Sequence, residues 1–355
     1  MINEWKNNEN WYSSGNTFEE LKTVLESIDR VTTREYVNTK DLMLYHLYEG
    51  TYYTGKRQVK CSGINSPTII EYNNHLHDIT GQAVVYLAKQ IGGEGSLMTY
   101  PTFCRNSLIM EGCQREAKWI SLIKRQEKIF GVFSEKYTYI PQTNILNVLN
   151  EAEEIFGETK IDFIVNQDMT SVYVEFTKER DRIAASYDLS KDITPGIYVA
   201  TSDTADSSFR IREYWNIGSN YIIGNEVSRK HIGAVDMEEL IDSMKRKIFG
   251  EYQYVPQRLS ELSEIEIDIN SVDLEYILKK YRVSEFLGKK RTRELIPQIE
   301  MELFGKKTAY DVVISLLTLG ERLVGDLSQF QKEIIQERLY DILEYDFRGS
   351  RLVLT

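Results

Sequence analysis

Asp162, Glu175 and Lys178 come nearest to forming a reaction centre in this sequence. Metal-dependent nucleases hold a divalent cation with strand carboxylates and use a following lysine to position the attacking water. That chemistry needs an acid, one residue, then lysine, because side chains two apart on a strand share a face. Glu175 and Lys178 are three apart and fall on opposite faces, so solvated outward positions are expected. His75 and His77, followed by Asp78, have a spacing that puts two imidazoles on one strand face. His46 and His231 stand isolated and no third ligand is identifiable, so a surface strand end is expected instead of a metal site. No glycine-flanked serine marks a strand-to-helix nucleophile, and no Gly-rich Lys-Ser/Thr phosphate loop occurs. Gly92, Gly93 and Gly95 close a helix. The sequence therefore assigns no catalytic residue, metal or cofactor.

Two sets of basic residues suit binding better than catalysis. The strand from Ser207 presents Arg210, Arg212, Tyr214 and Asn216 on one face, with Phe209, Ile211, Trp215 and Ile217 on the other. Arginines interleaved with an aromatic grip phosphates and stack bases in single-strand-binding sheets. Cross-strand pairing with Glu175 or Glu226 is the competing explanation. Lys279, Lys280 and Arg282, then Lys289, Lys290, Arg291 and Arg293, form a helical basic cluster. It is a phosphate-contact candidate, against a solvated helix face with Glu275, Glu285 and Glu294 as partners.

These residues sit in a chain of 355 residues with 42% hydrophobic content, enough for a substantial core, and only 6 prolines. A net charge of -11 repels phosphate backbones at long range, so nucleic-acid binding needs a locally basic patch. Cys61, Cys104 and Cys113 match no zinc pattern and read as small buried side chains in a reducing compartment. The first fifteen residues lack a signal-peptide core, and no stretch approaches the length of a membrane span. A bacterial cytoplasmic location is expected.

The elements that must position the candidates are a mixture of helices and strands. A capping box at Thr17 and Glu20 starts a helix through Ile28. Strand-like runs follow at Leu42 to Tyr48, Thr51 to Lys60 and Thr68 to Tyr72, then helices over Ile79 to Ile91 and Phe103 to Trp119. Ile129 to Phe133 reads as a strand, and Thr143 or Asn144 opens a helix to Gly157. Alternation at Ile161/Phe163/Val165 and Val172/Val174/Phe176 makes a hairpin, continued by Gly196 to Thr201, Ser207 to Ile217 and Asn220 to Val227. Asp236 with Glu239 begins a helical region: Val272 to Tyr281, Glu285 to Phe304 with a kink at Pro297, Ala309 to Leu319, and Leu327 to Tyr345. The fold class is α+β, an antiparallel meander with packed helices followed by a mostly helical C-terminal region. The expected divisions are an extension over 1–16, a core over 17–260 and helices over 261–355.

Four segments give the chain a family resemblance: TFEELKTVLESI (Thr17 to Ile28), ITGQAVVYLAKQIG (Ile79 to Gly92), GVFSEKYTYIPQTNILNVL (Gly131 to Leu149), and Ile197 to His231 with TSDTADSSFRIREYW. They resemble the prokaryotic phage/plasmid-like protein family, domain of unknown function 932, over about residues 17 to 250. The loop Thr201-Ser202-Asp203-Thr204 departs from the Asn-Ser-His-like run of relatives, and Ile223-Gly224-Asn225 lacks the preceding cysteine. The resemblance implies a gene of phages or plasmids acting in the bacterial cytoplasm and carries over no catalytic residue. The leading expectation is a nucleic-acid-associated accessory protein in recombination or strand handling, with single-stranded DNA as partner through Arg210, Arg212, Tyr214, Lys289, Lys290, Arg291 and Arg293. The rival is a modulator that binds a host defence or replication factor, for which 23 tyrosines and the acidic excess speak. An enzyme is the least favoured reading, and the oligomeric state is open.

Overall fold

The computed structural model describes residues 12–47, 49–54, 57–62, 67–93, 97, 99–166, 169–187, 189, 193–202, 208–218, 220–232, 236–267, 271–304, 308–323 and 329–348. Two six-stranded sheets organise them. The first to assemble along the chain consists of β2 (Thr32–Asn38), β3 (Met43–Tyr45), β6 (Ile69–Tyr72), β7 (His75–Ile79), β8 (Trp119–Arg125) and β9 (Lys128–Ser134). Its order is β2-β8-β9-β7-β6-β3, antiparallel except for the β7/β9 pair. The hairpin of β4 (Glu49–Thr54) and β5 (Arg57–Ser62) stands apart from it, and β1 (Tyr12–Gly15) belongs to the second sheet.

Helices α2 (Gly81–Gln90) and α3 (Thr102–Arg115) close one face of this first sheet. Leu87, Ile109, Ile120, Leu122 and Val132 fill the core between them. Thr80 caps α2 through its hydroxyl, which accepts from the Ala83 amide at 3.1 Å, so Ile79 stays in the strand and does not open the helix. Trp119 likewise begins β8 instead of ending α3, which stops at Arg115.

The second sheet is the expected meander, wholly antiparallel, in the order β1-β10-β11-β12-β13-β14. Its strands are β10 (Thr159–Asn166), β11 (Thr170–Phe176), β12 (Ile193–Thr201), β13 (Phe209–Ile217) and β14 (Asn220–Arg229). The hairpin pairs Phe163 with Val172 and Ile161 with Val174, as their alternation requires. One face packs Phe163, Phe176 and Trp215 against a helical layer that includes α1 (Phe18–Val31), α4 (Asn144–Phe156), α6 (Met237–Lys247) and α7 (Tyr254–Ser263). Thr17 caps α1 as its capping box requires, its hydroxyl accepting from the Glu20 amide at 3.3 Å. The Asp29 carboxylate near the end of α1 accepts from the amides of Gln142 and Thr143 at 2.8 and 2.9 Å, holding the start of α4.

The helix α5 (Thr177–Tyr187) lies against β12. The C-terminal helices α8 (Ser271–Lys280), α9 (Val283–Glu302), α10 (Ala309–Leu323) and α11 (Gln329–Asp341) share the core of the second sheet, from Leu274 through Val313 to Leu339 and Phe347. α9 breaks at Gly288, whose φ of 75° and ψ of 155° no helix accommodates, whereas Pro297 sits within the helix. The break moves because a glycine can adopt that conformation without strain. α11 packs against the edge strand β14. Its approach depends on Gly224: a Cβ there would lie 2.4 Å from the Tyr340 ring. Among the described residues, no helix is long and apolar enough to cross a membrane.

Candidate functional site

The strand face expected to offer Arg210, Arg212 and Tyr214 is closed by α11. Arg210 Nη2 donates to Glu333 Oε2 at 2.8 Å, and Arg212 lies 3.0 Å from Glu226 Oε2 and 2.9 Å from Glu337 Oε2. The arginine side chains are 13% and 5% exposed, and Glu333 only 1%. Tyr214 is buried among Tyr198, Ala200 and Ile223. This corrects the expectation of an open arginine face. Carboxylates from a helix more than a hundred residues downstream neutralise both guanidinium groups before a phosphate can reach them. Glu226 is the anticipated cross-strand partner of Arg212, whereas Glu175 accepts from Asn216 Nδ2 at 2.7 Å instead.

The same network extends inward. Tyr198 donates its hydroxyl to Glu333 and stands 3.0 Å from Ser171 Oγ. Glu213, fully buried, accepts from Trp215 Nε1 at 2.7 Å, Asn225 Nδ2 at 2.8 Å and Tyr340 Oη at 3.0 Å. Burial pushes the Glu213 and Glu333 carboxyls above the usual carboxylate range, with these donors pulling the other way. The arrangement is an anchor for α11.

Of the helical basic residues, Lys279 and Lys280 end α8 and Arg282 precedes α9, whereas Lys289, Lys290, Arg291 and Arg293 follow the Gly288 break in α9, a helix that packs on α8, α10 and α11. Lys289, Lys290 and Arg293 are exposed and Arg291 half-buried, with Lys290 4.0 Å from Glu294. The structure does not join them to the β13 arginines, which lie sealed beneath α11.

The remaining candidates are accounted for locally. Lys160 Nζ bridges Asp162 at 3.3 Å and Glu175 at 3.6 Å, and Lys178 lies in the first turn of α5 against Gly157. His75 is exposed, whereas His77 is buried, its ring stacked 4.5 Å from Tyr72 and its Nδ1 3.6 Å from Glu127. Burial lowers the His77 pKa, and the nearby Lys124 ammonium lowers it further. Cys61 and Cys113 are buried but Cys104 is exposed. Residues 203–207, which include Asp203 and Thr204 of the loop that departs from the family pattern, lie outside the described residues, as does Leu327, the expected start of the last helix.

A cleft of about 260 Å³ opens elsewhere, where the end of β9 and α2 meet the end of β14. Aromatic rings build its wall. Phe133 and Tyr137 stack at 3.8 Å and 9°, and Tyr137 and His231 at 5.2 Å and 2°. Tyr86 of α2 tilts against Phe133 at 6.4 Å, with the Lys89 ammonium 4.6 Å from the centre of its own ring. Gln90, Ser134 and Ser208 supply polar atoms around the opening, and Lys230 stands at its rim. The stack is held from outside: Thr138 N donates to the His231 carbonyl at 2.8 Å, and Arg34 Nη2 donates to the Tyr137 carbonyl. The rings face one another and are nearly buried, so they offer the cleft an apolar side, and with amide and hydroxyl groups at the edge and an ammonium nearby it can receive a flat heterocycle carrying an anionic group.

Sequence reasoning left His231 isolated and did not single out Tyr86, Phe133 or Tyr137. They come from three separated segments, Ile79 to Gly92 with Tyr86 and Gln90, Gly131 to Leu149 with Phe133 and Tyr137, and Ile197 to His231 with Ser208 and His231, and no local pattern in any one of them marks the cleft. Comparison with protein-family models, with curated proteins and with solved structures found no match to this chain.

Proposed function

We propose that this protein is a nucleic-acid-associated protein that holds an unpaired base in the cleft between its two sheets. The observation that carries the reading is the Phe133–Tyr137–His231 stack bordered by Gln90 and Lys230. A volume of about 260 Å³ suits one base with part of its sugar. The base edge would meet the Gln90 amide and the serine hydroxyls, and the phosphate would meet Lys230, which supplies local positive charge on a chain of net charge -11. The resemblance to the phage/plasmid-like family supports a mobile-element context, with recombination or strand handling in a bacterial cytoplasm as the setting. The function moves from the β13 arginines to a different surface, while the class of partner stays the same.

The test is binding of labelled single-stranded and duplex DNA of equal length, measured between 50 and 200 mM salt. Single-stranded DNA should bind more tightly, and Lys230→Gln should weaken binding and reduce the salt slope by about one. No binding at 50 mM salt, or binding unaffected by both Lys230→Gln and Gln90→Ala, overturns the reading.

A further inference from the structure

The face of the first sheet turned away from α2 and α3 continues from the cleft wall. Register places Phe133 beside Ser121 of β8, and Ser121 beside Tyr36 of β2. Alternation brings Arg34, Ile123 and Trp119 to the same face. Contacts make the row continuous. The Arg34 guanidinium lies 4.4 Å over the Tyr36 ring, its Nε donates to Ser121 Oγ at 2.9 Å, and its Nη2 reaches the Tyr137 carbonyl of the cleft. Tyr36 and Trp119 remain 51% and 55% exposed, although β2 and β8 are paired along their lengths. Ser121, Ile123 and Phe133 are buried, so the Arg34 side chain, and not the sheet floor, forms the surface that bridges Tyr36 to the cleft across two strand spacings of about 9.5 Å.

From this placement we infer that the outer face of the first sheet is a stacking track for single-stranded nucleic acid leading out of the cleft, with Tyr36 and Trp119 as base platforms and Arg34 at the junction. The inference rests on the proposed base-binding cleft and extends it. Charge selects the occupant: Arg34, Lys89 and Lys230 border the track and cleft, and among the described residues none of the three lies within ion-pair distance of a carboxylate, in a chain with 54 acidic and 43 basic residues. The exposed Trp119 ring and the part of Tyr36 that Arg34 leaves uncovered fit an unstacked strand, whose bases expose their π-faces, and not a duplex, whose bases are already stacked. Arg34 is already stacked on Tyr36, so it is positioned to meet the phosphate next to the base on that ring.

The experiment titrates the full chain with oligothymidylates of two to twelve nucleotides, following tryptophan fluorescence and anisotropy of a labelled end. Affinity should climb with length until the track is filled, and Trp119→Phe should remove most of the fluorescence change. Tyr36→Ala and Trp119→Ala should each weaken binding of the twelve-nucleotide strand by roughly tenfold and leave the dinucleotide unaffected, with unchanged thermal unfolding showing that the sheet is intact. Affinity independent of length, or a Tyr36→Ala/Trp119→Ala variant that binds the long strand like wild type while Lys230→Gln does not, overturns the track and leaves the cleft standing. Failure of every length to bind overturns both.

Discussion

Each sheet carries arginine and tyrosine on one face, and the two faces have opposite fates. On the second sheet Arg210 and Arg212 lie beneath α11, bonded to Glu333, Glu337 and Glu226, and Tyr198 and Tyr214 are buried beside them. On the first sheet Arg34 and Tyr36 form a stacked pair of their own, with the tyrosine half exposed and an aromatic cleft next to it. The residue types are the same. What separates an anchoring network from an open surface is a helix supplied by a distant part of the chain, and its carboxylates decide whether a guanidinium has charge left for a ligand.

The sharpest way to break this comparison is to remove one partner from the sealed face. Arg210→Ala leaves Glu333 buried beside Tyr198 without its cation, and urea unfolding should show a loss of roughly 3–5 kcal/mol. A paired replacement, Arg210→Met with Glu333→Leu, should recover most of that loss, because neither member of the pair is then left buried without its partner. If Arg210→Ala proved harmless, α11 would not be anchored there, and the β13 face would return as a candidate surface.

Next in size is the close approach that brings α11 to the sheet. Gly224→Leu places side-chain atoms where the Tyr340 ring lies, 2.4 Å from the position of a Cβ. Unfolding should report a loss of about 1–3 kcal/mol from overpacking. Hydrogen exchange should locate the disturbance in α11 and β14 and leave β2, β8 and β9 protected as before.

How far these faces could be read from the sequence follows from the range of the contacts that make them. The α1 stripe with its Thr17 cap, the hairpin of β10 and β11, and Gly157 after α4 depend on neighbours within a few residues, and they were legible. The parallel β7/β9 pair and the insertion of β8 between β2 and β9 depend on long-range pairing, and Trp119 accordingly read as the end of a helix. The sealing of Arg210 by Glu333, 123 residues away, leaves no periodic trace. The cleft was hidden for the same reason, since Tyr86, Tyr137 and His231 come from three separated segments, each unremarkable alone.

The sealed face should also respond to pH, with a sign fixed by its raised carboxyls. Burial lifts the Glu213 pKa above the ordinary 4.5, so the folded state prefers the protonated form. Its contribution to stability is fully present below pH 4.5 and is lost as pH rises from there through the raised folded value. Glu213→Gln removes that titration. The difference in urea midpoint between this variant and wild type should shift in favour of the variant as pH rises across that window, and a constant difference would show that the buried carboxyl does not titrate with folding.

The smallest expected effect on stability is on the open face, and its smallness is the point. Tyr36 is 51% exposed on β2, so Tyr36→Ala removes little buried area and should change unfolding free energy by no more than about 0.5 kcal/mol. Its loss should register in the affinity for single strands. Tyr214→Ala, on the sealed face, should do the reverse, costing roughly 3–5 kcal/mol as a buried aromatic truncation while leaving strand affinity intact under conditions where the variant is folded. If the two variants cost the same stability, Tyr36 would be a packing residue like its counterpart. The distinction between a face that holds the molecule together and one that holds a ligand would then fail where it is easiest to measure.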